Sequence, residues 1–194
     1  SQAYKVHAAT NVDFSEVTWY YPVGEGDTDI TNYVTFNYAE NVWSVGTLVR
    51  GTWIEAGTRD YPMAASVITS DDNNYIYRHE TGYDDDGSAM TAYIESGDVE
   101  LDEGGRFMFL SRMIPDFKFS GDTGSVSVDV TIKGKRFPLE SLSTLATATV
   151  TSSTEQNFLR TRARESVVRV ESSGLGFGWR LGDLRFEMQQ DGRR

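Results

Sequence analysis

The chain has 194 residues, 39 % of them hydrophobic and 24 % charged, a globular rather than disordered composition and long enough to bury a real core. It has no cysteine, which removes disulfides, thiolate metal sites and cysteine nucleophiles together, and no apolar run long enough to span a bilayer as a helix. The net charge of −11 is unevenly placed: residues 1–100 hold 4 basic against 17 acidic side chains and residues 151–194 hold 8 against 6, which argues against a general nucleic-acid binder with its basic footprint. The start, Ser1-Gln2-Ala3-Tyr4-Lys5, has no initiator Met and no charged or apolar leader region, so a fragment or a processed product is expected.

Along the chain, Val17-Thr18-Trp19-Tyr20-Tyr21 crowds aromatic and β-branched residues, as strands prefer, and Gly24-Glu25-Gly26-Asp27 follows as a turn. Period-two alternation marks residues 33–38 (Val34, Phe36, Tyr38) as a strand with one buried and one wet face. After the polar turn Asp71-Asp72-Asn73-Asn74, the segment Tyr75-Ile76-Tyr77-Arg78-His79-Glu80 reads as a strand end at which His79 and Glu80 hydrogen-bond. Asp85-Asp86-Gly87 is a further turn, ahead of alternation at 89–95 (Met90, Ala92, Ile94). Asp102-Glu103-Gly104-Gly105 introduces the strand Arg106-Phe107-Met108-Phe109-Leu110, and Ser120-Gly121-Asp122-Thr123-Gly124 turns into 125–133, where Val126, Val128, Val130 and Ile132 alternate with polar residues. Lys133-Gly134-Lys135 reads as a turn and Ser141-Leu142-Ser143-Thr144-Leu145 as at most a short one, before alternation at 145–151 (Ala146, Ala148, Val150) and at 184–189 (Leu184, Phe186, Met188). No helical stripe exceeds two turns. The pattern predicts an all-β fold of about ten antiparallel strands in meanders, as a sandwich, barrel or propeller. Residues 1–194 form a single all-β region with a soft boundary near 84–88.

No motif compels a reaction. His7 and His79 belong to no spaced ligand pattern, and no Gly-x-Ser-x-Gly elbow supports a nucleophile. Among 29 Asp and Glu residues, some pairs at glycosidase spacing arise by chance. Asp84-Asp85-Asp86-Gly87 lacks the ligand spacing of an EF-hand and reads as an acidic turn rather than a calcium loop. Arg160, Arg162 and Arg164 stand on alternate residues and, if extended, face one way. They form either a basic stripe for a phosphate backbone or acidic neighbour, or a strand face laced to acids such as Glu155 or Glu171. The alternate glycines Gly174, Gly176 and Gly178 suit a bulged or tightly packed strand rather than a phosphate loop. No catalytic, cofactor or metal site is expected, and the chain is not expected to be an enzyme.

Glu16-Val17-Thr18-Trp19-Tyr20-Tyr21-Pro22 is followed by Tyr33-Val34-Thr35-Phe36-Asn37-Tyr38-Ala39-Glu40-Asn41-Val42-Trp43-Ser44-Val45-Gly46. Arg78-His79-Glu80-Thr81-Gly82 with Asp86-Gly87 comes next, then Trp179-Arg180-Leu181-Gly182 and the terminal Asp191-Gly192-Arg193-Arg194. In this order the stretches resemble the tail nozzle proteins of short-tailed phages, also called packaged-DNA stabilisation proteins. The resemblance covers essentially the whole chain but only the carboxy-terminal part of longer family members. It implies β-propeller blades, with strands such as Val42-Trp43-Ser44-Val45 in them, and a homo-oligomeric ring with six as the expected number. Such a ring closes the tail channel below the portal and adaptor, adjoins tail needle or spike proteins, and retains and then passes double-stranded DNA without sequence specificity or membrane insertion. The implied location is the phage tail of the virion, after assembly in the host cytoplasm. Part of the acidic surface of residues 1–100 is then expected to face the lumen, because phosphate contacts would hold the cargo. The alternative is a receptor- or glycan-binding β module using Trp43, Trp53 or Tyr83 as stacking platforms, and after it a tail-associated glycan hydrolase.

Overall fold

A computed structural model describes residues 5–24, 29–67, 74–122 and 126–192. The expected turns at 24–27 and 71–74, the loop 120–124 and the terminal 191–194 each lie partly outside the described residues. The chain is all-β and antiparallel, with no closed barrel. Among the described residues the only helix is a single 3-10 turn, Val12–Phe14. It divides into two compact units, Ser1–Thr81 and Gly82–Arg194.

The first unit holds two meanders. Strands β1 (His7–Asn11), β2 (Glu16–Tyr21), β3 (Asn32–Asn37) and β4 (Val42–Thr47) pair in sequence order. Strands β5 (Arg50–Ile54), β6 (Met63–Ser66) and β7 (Ile76–Arg78) form a second, three-stranded sheet. Asn41, at φ 57, takes the left-handed turn between β3 and β4, a conformation that asparagine tolerates.

The second unit is built on one core. Strands β8 (Ala92–Glu95), β9 (Val99–Glu100), β12 (Val128–Lys135), β13 (Ser143–Val150) and β15 (Glu165–Ser172) make a five-stranded sheet ordered β13-β12-β15-β8, with β9 also on β15. Strands β10 (Met108–Ile114), β14 (Asn157–Ala163) and β17 (Arg185–Gln190) form a second sheet, and β11 (Phe117–Gly121) pairs β16 (Phe177–Leu181). Alternation sends Val128, Val130 and Ile132 inward, all fully buried, against Met108, Leu110 and Met113 of β10, Val150 of β13 and Val170 of β15. Burying each such side chain stabilises by about 1.5–3 kcal/mol, so this cluster carries the unit. On the opposite face of β12, Lys133 and Arg169 share Glu95 at 2.6 and 3.3 Å, and Arg169 lies 3.8 Å over the Tyr93 ring.

Strand detail departs from the sequence reading in three places. Seventeen strands are present among the described residues rather than about ten, four of them (β6, β7, β8 and β9) only two to four residues long. The alternation at 89–95 yields only β8, an edge strand whose Tyr93 and Ile94 are more than half exposed. Lys133-Gly134-Lys135 is not a turn but the end of β12. A Cβ at Gly134 would stand 2.5 Å from Leu145 Cδ1 and 2.8 Å from Ala163 Cβ, so this glycine serves close packing rather than chain reversal. Gly134→Val should therefore cost about 1–3 kcal/mol by overpacking, read as a lower urea midpoint at unchanged slope. A wild-type midpoint would mean that Leu145 yields freely. By contrast, Asp85-Asp86-Gly87-Ser88 is a tight turn as expected. Asp86 (φ 50) and Gly87 (φ 80) are both left-handed, and Asp85 and Ser88 exchange two backbone hydrogen bonds at 2.9 Å.

Candidate functional site

Directly paired residues in an antiparallel sheet share a face, so the register of β1–β4 sorts their side chains. Val17, Trp19, Val34, Phe36, Trp43 and Val45 fall on one face; Glu16, Thr18, Tyr20, Tyr33, Thr35 and Ser44 fall on the other. Burial follows the unexpected side. On the polar face Tyr20 is 3 %, Thr35 5 % and Asn11 7 % exposed, whereas Trp43 and Val45 on the apolar face are 63 % and 69 % exposed.

The buried polar face lines a half-open cavity of about 230 Å3, whose lining also includes Leu48, Trp53, His79 and Glu80. Trp53 stacks on Tyr20 at 6.1 Å and meets His79 at 4.7 Å between ring centroids. Asn11 Nδ2 donates to Glu80 Oε1 at 3.2 Å, and the Thr18 and Thr35 hydroxyls bond across the strands at 2.7 Å. Arg50, 8 % exposed, donates through Nε to His79 Nε2 at 3.1 Å and lies 3.9 Å over the Tyr77 ring. His7 stacks on Tyr20 at 5.0 Å, and burial holds its imidazole below the ordinary value.

Burial, reinforced by the Glu80 carboxylate, pushes the half-buried Glu16 carboxyl above its ordinary value. Glu80 stands at the exposed rim, and desolvation of its carboxyl raises it likewise. Burial raises both tyrosines, Tyr20 with the larger shift, and the two carboxylates add to it. For a carboxyl raised in the folded state, the native protein binds the proton more readily. Stability then increases as pH falls from above the raised value to the ordinary 4.5. Glu16→Gln should accordingly raise the melting temperature at pH 8, with the gain vanishing near pH 4. A gain that is the same at both pH values would show that Glu16 ionises normally.

The three sequence-selected arginines do not form a free row. Arg160 sits at a β-bulge where β14 slips against β10, with φ 51, and makes no hydrogen bond or ion pair to any described residue. Arg162 binds Asp191 through Nε at 2.6 Å and lies 4.1 Å over the Phe107 ring. Arg164 lies 4.5 Å over the same ring and donates to the carbonyls of Gly104 and Gly105 at 3.1 and 2.9 Å. Among the described residues Arg162 and Arg164 thus meet Asp191, the Phe107 and Phe137 rings and backbone carbonyls, and not Glu155 or Glu171; Glu171 is taken by Arg169.

Of the three suggested stacking platforms, Trp43 is open, Trp53 lines the cavity and Tyr83 packs where Gly121 and Gly178 leave room for its ring. Asp84 accepts from the Gly176 amide at 2.6 Å, and among the described residues no three His, Asp or Glu side chains gather as metal ligands. The sequence reading did not single out Glu16, Tyr20, Tyr33 and Thr35 as a set. Their alternation was visible, but nothing in it said that the polar face would be the covered one. No family model and no curated protein matches the chain.

Proposed function

We propose that the protein is a structural component of a phage tail, assembling as a ring that closes the DNA channel, retains packaged genome and passes it on ejection. One observation carries the reading. The first sheet turns its polar face inward and leaves Trp43 and Val45 open beside the half-buried Trp19, Val34 and Phe36. An apolar face ending in an exposed edge strand invites pairing with another chain, and stable proteins keep such a face covered. The meanders β1–β4 and β5–β7 have the up-and-down connectivity of propeller blades, which pack face to face and would supply that cover. The second unit adds a projecting apolar loop after β12, with Leu139 wholly exposed and Phe137 56 % exposed. A ring needs such dissimilar surfaces, since each subunit docks one face on a different face of the next.

Negative-stain electron microscopy with a native mass on the same sample tests the reading. Rings with a central hole, alone or on adaptor-bearing portals, are expected. A compact monomer that never joins portal complexes would overturn it in favour of a glycan-binding module.

A further inference from the structure

The cavity of the first unit has a chemistry that ring assembly does not use. Its lining includes the carboxyl groups of Glu16 and Glu80 and contains no Lys or Arg side chain. The Arg50 guanidinium, outside the lining, donates to His79 and, at 2.9 Å, to the Val49 carbonyl and lies over the Tyr77 ring, while its charge also reaches Tyr20. Several polar groups facing the cavity have no hydrogen-bond partner among the described residues. They are the hydroxyl of Tyr20, itself 97 % buried by its 3 % exposure, the Tyr33 hydroxyl, the Glu16 carboxyl and the fully covered Trp53 Nε1. Of these only Trp53 Nε1 is fully covered, a buried donor that needs a partner, while the Tyr20, Tyr33 and Glu16 oxygens remain reachable from the cavity and free to accept from a bound molecule.

The identity of these groups narrows the ligand. Glu16, Glu80 and the tyrosine oxygens are acceptors, and the Tyr20, Tyr33 and Trp53 side chains add aromatic surface to the same lining. Trp53 Nε1–H can only donate, so the ligand must also present an oxygen acceptor. The volume of about 230 Å3 is that of a site for one small molecule. We infer that this cavity binds a small hydroxylated ammonium ion, of the amino-alcohol or amino-sugar class. Its ammonium group lies between Glu16 and Glu80, its carbon skeleton against the aromatic rings, and one hydroxyl at Trp53 Nε1.

Isothermal titration of the whole protein with glucosamine at pH 6.5, against glucose at the same concentrations, tests the inference, with Trp fluorescence as a second readout. Glucosamine is expected to bind and glucose to bind at least about tenfold more weakly, because a charge-assisted hydrogen bond is worth ~1.5–3 kcal/mol. Glu16→Gln should weaken glucosamine by about tenfold or more while leaving the circular dichroism spectrum unchanged. Tyr20→Phe, which removes only the hydroxyl, should weaken it less. Equal binding of the two sugars would make this a neutral saccharide site and overturn the inference, as would failure to bind both glucosamine and 2-aminoethanol. Ring assembly, measured separately, is indifferent to either result.

Discussion

Ile132→Asp is expected to unfold the second unit at room temperature. Ile132 is wholly buried in the middle of β12, paired with Ala146 and Val168, and belongs to the cluster that joins β10, β12, β13, β14, β15 and β16. The change forfeits about 1.5–3 kcal/mol of burial and places a carboxylate in an apolar cluster, at an effective cost of several kcal/mol. The sum approaches the whole ~5–15 kcal/mol stability of a typical domain. Hydrogen exchange should show protection lost together across β10, β12, β13 and β15, because they share one core. Thr131→Asp, one residue away on the opposite face, is half-exposed beside Arg169 and should change stability by no more than ~1 kcal/mol. Comparable effects of the two substitutions would refute the face assignment of β12.

That contrast also shows what the sequence made legible. Val126, Val128, Val130 and Ile132 alternate with polar residues and all four are buried, though the strand, Val128–Lys135, begins after Val126 and runs on through the expected turn. The Asp86-Gly87 turn was readable for a similar reason: both residues tolerate the left-handed region, and the chain uses them there. Gly134 misled because a glycine between lysines carries the same local signal whether it reverses the chain or yields space to Leu145 and Ala163, and only the tertiary neighbours distinguish these. The bulge at Arg160 was invisible for a related reason, since the slip of β14 against β10 is a property of the pair.

The cavity was illegible in a more instructive way. The segment Glu16–Tyr21 shows its two faces plainly, with Val17 and Trp19 against Glu16, Thr18 and Tyr20. The ordinary inference buries the apolar set. Here Trp53 of the second meander and His79 just after it cover the polar set at Tyr20, so within the described unit the rule is inverted. An inversion of this kind leaves a sheet with unfinished business on both sides: unpaired polar groups within, and an uncovered aromatic face without. The first points to a ligand and the second to a neighbouring protein surface, and neither follows from periodicity alone.

The open face yields the second large effect. Replacing Trp43 and Val45 together by Lys is expected to abolish self-assembly while leaving the subunit folded. Both side chains are more than half exposed, so their loss should cost the isolated subunit no more than about 1 kcal/mol; most of that is the stacking of Trp43 on Phe36, at 4.6 Å, and on Trp19, at 5.9 Å. At an interface the same positions behave differently. A tryptophan centred in a desolvated patch is worth ~2 kcal/mol or more, and two lysines buried there add unpaired charge. The combined penalty of roughly 4 kcal/mol weakens association about a thousandfold. Native mass spectrometry should therefore report monomer for the variant where the proposed ring is expected of the unmodified chain, with melting temperatures of the two subunits within a few degrees. Replacement of Phe137 and Leu139 by Ser in the second unit distinguishes one apolar surface from two: if both pairs are needed, the ring is closed by dissimilar faces, as heterologous assembly requires. Rings that survive both double substitutions would remove the physical basis for reading this chain as a ring-forming tail protein, because the surfaces that most need a partner would then have none.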